Sequence, residues 1–115
     1  MKKNDDSICQ ELLEEGLDDW VPVDLLVALA FEMSQESGES MRDITARVLS
    51  RLLHSGLMQV GELGETGFEA WPEENDAVVR RVIEALETVK WEPALGVCWL
   101  ANTPEADRLV SEAGH

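Results

Sequence analysis

The chain has no tyrosine, two phenylalanines, two histidines, two cysteines and nine lysines plus arginines, set against twenty-four acids. Each shortage excludes something. Cys9 and Cys98 lie far apart, belong to no CxxC pair and have no histidine cluster beside them, which excludes a disulfide scaffold or a thiolate zinc site. With only His54 and His115 available, and no GxSxG, HExxH, P-loop or Rossmann glycine pattern, no catalytic constellation can be assembled. The chain reads as a non-enzyme without cofactor or metal. The longest apolar run, Leu25 to Phe31, is far too short to span a bilayer. Met1-Lys2-Lys3 leads straight into Asn4-Asp5-Asp6, without the apolar core of a signal peptide, so a cytoplasmic protein is expected.

What is present suits one globular domain over residues 1–115, with 1–6 as a flexible lead-in. A chain of this size buries roughly two-thirds of its extended surface without staples. The formal net charge is −15, unevenly spread. Residues 1–39 carry eleven acids against Lys2 and Lys3, and residues 60–79 carry six acids with no base. Residues 40–59 reverse the sign, holding Arg42, Arg47 and Arg51 against Asp43. A field this negative repels nucleic acid at long range and draws basic partners.

Hydrophobic spacing predicts a helix over Ser7–Glu15, stopped by Gly16, with Ser7 and Gln10 as a capping box. A second helix starts near Pro22, which suits a first helical turn, and runs to about Gln35. Ser40 caps a third, residues 41–55, with Met41, Val48, Leu49, Leu52 and Leu53 as its apolar stripe and Gly56 as its stop. Leu57–Val60 and Val97–Leu100 read as two strands. Between them lie a glycine-punctuated loop (Gly61, Gly64, Gly67) ending in Phe68 and Trp71, and a fourth helix whose start suits Glu73, Glu74 and Asp76. Thr103-Pro104 opens a closing helix.

Three helices, then Gly56-Leu57-Met58 into a strand, later a strand leading to Thr103-Pro104-Glu105-Ala106, resemble the winged-helix domains of bacterial regulators. The chain is also similar to a group of small bacterial proteins of unknown function that share a GFxxW loop, here Gly67-Phe68 with Trp71, and a CWLxxTPxxD ending, here Cys98 to Asp107. The resemblance implies a mainly α, winged-helix-like fold with a small two-stranded sheet. It departs from the pattern by inserting about 35 residues, including a helix, between the two strands, where a wing is a short hairpin.

Two candidate surfaces follow. The acidic stretch with its aromatic anchors, Glu62, Glu65, Phe68, Glu69, Trp71, Glu73, Glu74 and Asp76, suits a basic protein partner, such as a toxin neutralised in the manner of an immunity protein. The alternative, implied by the resemblance, is a DNA-binding regulator using Arg42, Arg47, Arg51 and His54 on the third helix. Charge favours the first, because three arginines are a weak footprint for phosphates on a body this acidic. Of the four tryptophans most are expected to fill core edges, with Trp71 the best anchor.

Overall fold

The computed structural model describes residues 4–92 and 97–113. Helix α1, Asp5–Gly16, begins earlier than its spacing suggests, because the capping box is Asn4 with Ser7. The Ser7 amide donates to Asn4 Oδ1 at 2.8 Å and the Asn4 amide donates to Ser7 Oγ at 2.9 Å. Asn4 to Asp6, expected in a flexible lead-in, instead cap and open the helix. Gly16 is no left-handed stop, since Leu17 after it stays helical at φ −67°. Its role is clearance: a Cβ at Gly16 would lie 2.1 Å from Asn102 Oδ1. That gap lets Asn102 Nδ2 donate to the Leu13 carbonyl at 2.8 Å and satisfy an orphan acceptor near the helix end.

Strand β1, Val21–Pro22, is two residues long and runs directly into α2, Val23–Ser37. Pro22 therefore sits at the cap, with ψ 145°, and not inside the first turn. On a sheet edge its missing N–H costs no ladder bond. Helix α2 buries Leu26, Val27, Leu29, Ala30 and Met33, and ends on Gly38 at φ 80°. Helix α3, Met41–His54, starts as expected: Ser40 Oγ accepts the Asp43 amide at 3.0 Å. Ile44, Val48, Leu49 and Leu52 face the core, and Gly56 turns the chain out at φ 74°.

The expected two-stranded sheet is a four-stranded antiparallel one, ordered β1–β4–β2–β3. Its centre pairs β2, Met58–Gly64, with β4, Trp99–Asn102, placing Val60 opposite Leu100. The second expected strand thus begins two residues later than the sequence pattern implied. The glycine-punctuated stretch is no loop but a hairpin, β2 with β3, Gly67–Ala70. Gly67 supplies the turn's positive φ of 116°, and Gly61 supplies clearance, since a Cβ there would lie 2.1 Å from the Glu69 carbonyl oxygen. Glycines that lower strand propensity locally are what this hairpin requires.

Side chains alternate across the sheet. Val21, Val60 and Leu100 point inward and are fully buried, joined by Met58. Helix α4, Asn75–Thr88, follows the hairpin and packs chiefly on α3 through Val78, Val82, Ile83 and Leu86. Helix α5, Pro104–Ala113, is capped by Thr103, whose Oγ1 accepts the Ala106 amide and donates to the Gly56 carbonyl at 2.8 Å. One hydroxyl thus ties the start of α5 to the end of α3. The molecule is mostly helical, with a small four-stranded antiparallel sheet.

Candidate functional site

The cationic side of α3 lies between two acidic elements. Arg47 Nε and Nη2 donate to the Asp5 carboxylate of α1 at 2.5 and 2.9 Å, and Nη1 donates to Glu39 at 2.6 Å. Arg51 pairs with Asp6, also on α1. On the other flank, Arg42 Nε meets Glu87 of α4 at 3.1 Å, and His54 Nε2 meets Asp76 at 2.9 Å. All four candidate DNA-contacting residues have a carboxylate partner within the chain. Three guanidinium groups face four carboxylates, Asp5, Asp6, Glu39 and Glu87, so even the most basic part of the surface is not positive in sum. The hydrogen bonds that Arg47 donates hold the Asp5 carboxyl below its ordinary value, and donating to Asp5 and Glu39 and to Asp6 keeps Arg47 and Arg51, respectively, more firmly protonated. Apart from Asp5, which is partly buried, these side chains stay well exposed, so the pairs add little stability each. Their larger effect is on the field: a phosphate has to displace a partner already in place.

The eight residues of the acidic candidate surface divide. Glu62 and Glu69 are cross-strand neighbours on the hairpin, a like-charge pair that needs relief. Relief comes from Arg81 on α4, which donates to Glu73 at 2.8 Å and to Glu62 at 3.4 Å. The same guanidinium lies 3.7 Å from the centroid of the Trp71 ring, and Trp71 Nε1 donates to Glu62 at 3.1 Å. Trp71 is thereby bound to its own chain and packed on the core, a poor anchor for a partner. Asp76 is engaged by His54. Glu65, Glu69 and Glu74 have no ion pair among the described residues.

Phe68 has a different setting. Its ring stacks on Trp20, with centroids 6.5 Å apart and planes 28° apart. Trp20 keeps 41% of its surface exposed, and Leu63, opposite Phe68 on the hairpin, keeps 43%. Residue spacing alone gave no sign of this cluster, because Trp20 and Phe68 are forty-eight positions apart. The only local signal was Trp20 following Asp18 and Asp19 at the end of a helix. Arg81 was missed for the same reason: it meets the hairpin only once α4 is docked.

Among the described residues no group of three or more His, Cys, Asp and Glu side chains is placed to hold a metal, and no helix is long and apolar enough to cross a membrane. Both thiols are free and buried. Burial pushes the Cys98 thiol up to about 12 and raises Cys9 as well, the reverse of what a nucleophile needs. A cavity of about 680 Å³ runs between α1, the end of α3 and α5, with Cys9, Leu13, Leu17, Leu57, Leu109 and Val110 as its apolar lining. Asp6, Glu14 and Arg51 stand among its polar walls. Compared with known proteins, the chain matches no protein-family model, no curated protein and no solved structure.

Proposed function

We propose that this protein is a non-enzymatic, acidic interaction module that binds a basic protein partner, in the manner of an immunity protein masking a cationic toxin. The observation that carries the reading is the internal pairing of Arg42, Arg47, Arg51 and His54. It leaves the −15 chain without a free basic face on α3 while most acids remain exposed. Charge complementarity with a cationic partner then speeds encounter and selects against polyanions. The two free thiols suit a reducing compartment, and we place the protein in the cytoplasm.

The fold reading that goes with this function is a winged-helix-like domain adapted to protein binding. Three strands in the order β1–β4–β2, threaded among α1, α2 and α3, support it, with the β2–β3 hairpin and α4 standing where a short wing would be. The competing reading, a DNA-binding regulator, asks α3 to enter a groove. There it would give up Asp5, Asp6, Glu39 and Glu87 for phosphates, and bring Asp43 and those four carboxylates toward a polyanion.

Binding to immobilised protamine, an arginine-rich polycation, tests the proposal. Saturable binding that weakens with salt, and that an excess of a second basic protein competes away, is expected. Absence of binding at about 0.05 M salt, where exposed charges are least screened, contradicts it.

A further inference from the structure

In an antiparallel sheet with one solvated face, that face is ordinarily polar. This sheet breaks the rule. The register places Pro22, Trp99, Ala101, Leu63 and Phe68 on the side opposite Val21, Val60 and Leu100, with Trp20 continuing the alternation just before β1. Of these Ala101 is buried, Pro22, Trp99 and Phe68 are half-buried, and Leu63 and Trp20 are exposed. Gln59 is the one polar side chain among the outward strand positions. Phe68 and Trp99 are not among the half-buried side chains packed against the buried cluster, whereas Trp71, of opposite parity, is. The Trp20–Phe68 stack lies on this face, where Trp20 and Leu63 each keep about two-fifths of their surface exposed.

The charge around it has one sign. Beside Trp20 and Ala101 a hollow of about 320 Å³ is walled by Asp18, Asp19 and Asp107, with no lysine or arginine in its lining. Asp18 and Asp107 are exposed and have no ion pair among the described residues, and Glu65 stands at the hairpin turn. An indole face beside carboxylates favours a guanidinium, which gains ring and ion-pair contacts together. A second copy of this chain is a poor occupant, since each would bring the same acids and a charge of −15.

We infer that the outward face of the sheet, centred on Trp20, Leu63, Phe68 and Trp99, is the docking surface for a cationic segment of a partner protein that carries apolar side chains between its arginines. The inference rests on the interaction reading above and narrows it to one face, away from Trp71, Glu73 and Glu74. Apolar contact with the aromatic cluster supplies affinity, and the Asp18–Asp19–Asp107 rim selects the basic partner.

The test uses the full chain labelled with nitrogen-15 and two peptides of equal charge, one alternating arginine and leucine, the other all lysine. On adding the arginine–leucine peptide, the indole N–H signals of Trp20 and Trp99 are expected to move while those of Trp71 and Trp91 stay. Trp20→Ser with Leu63→Ser should weaken binding about tenfold or more, whereas Trp20→Phe should retain most of it. Replacing Asp18, Asp19 and Asp107 by Asn should weaken binding and flatten its salt dependence. Binding that moves Trp71 instead, or that treats both peptides alike, overturns the docking face and leaves the acidic-module reading intact. Failure of both peptides to bind overturns both. Concentration-dependent shifts of Trp20 without peptide assign the face to a second copy and overturn the cationic occupant. Should the double serine variant misfold, the indole shifts of the unaltered chain decide the matter alone.

Discussion

The guanidinium of Arg47 and the carboxylate of Asp5 meet through two parallel hydrogen bonds, joining the middle of α3 to the first residue of α1. Forked pairs of this kind are stronger than single ones, although half-exposure limits their worth. Arg47→Ala is expected to cost about 1 kcal/mol in urea unfolding. Asp5 adds a pH signature. Its folded pKa lies below the ordinary 3.8, so its contribution is complete above that value and is lost as pH falls through the lower folded one. The stability gap between the native chain and Arg47→Ala should therefore shrink as the solution is acidified below about pH 4. A gap that stays constant to pH 2 would show that the pair does not form.

Two glycines separate conformational need from spatial need. Gly38 has a left-handed φ of 80° and open space around it, so Gly38→Ala should cost about 1 kcal/mol, the strain alone. Gly61 has its space occupied by the backbone of Glu69 and Ala70, which cannot swing aside as a side chain would. Gly61→Ala should cost about 2–3 kcal/mol and open the hairpin, seen as loss of amide protection at Glu62 and Leu63. Equal costs at the two sites would contradict the close approach.

Trp71 and Trp20 should behave as opposites. Trp71 packs on the core under Arg81, so Trp71→Ala is expected to destabilise by about 2–4 kcal/mol. Trp20, more exposed and outside the buried cluster, should tolerate Trp20→Ser within about 1 kcal/mol. Thermal or urea unfolding of the two variants distinguishes them, and reversal of their order would place the sheet's faces the wrong way round.

Neither thiol should react in the native state. Cys98 is buried with its pKa near 12, and Cys9 is buried with its pKa raised, so both stay protonated at pH 8. Iodoacetamide should modify neither until denaturant is added, after which both should react. Rapid native labelling of Cys98 would contradict the burial of its side chain.

Much of the helical architecture was legible because the helices carry strong periodicity and ordinary signals: Ser40 and Thr103 as caps and Gly56 as a left-handed exit, although Gly16 is no such exit. The sheet was half legible. Val60 and Leu100 announced themselves as buried strand residues, whereas β1 is two residues long and ends in proline. The hairpin was hidden by Gly61, Gly64 and Gly67, which read locally as a loop and are needed globally for close strand approach. The functional surface was least legible of all. Which tryptophan is bound and which is free depends on Arg81 reaching Trp71 from another helix and on Phe68 reaching Trp20 across the sheet. Likewise, the arginines of α3 were visible, but their neutralisation depends on α1 and α4 arriving on either side.

The most direct test is a titration of the protein with a fluorescently labelled DNA duplex of mixed sequence, followed by anisotropy near physiological ionic strength. With the α3 arginines held by Asp5, Asp6, Glu39 and Glu87, the duplex should show no saturable binding even at micromolar protein. Tight binding that is abolished by Arg47→Glu and Arg51→Glu would contradict the account at its root.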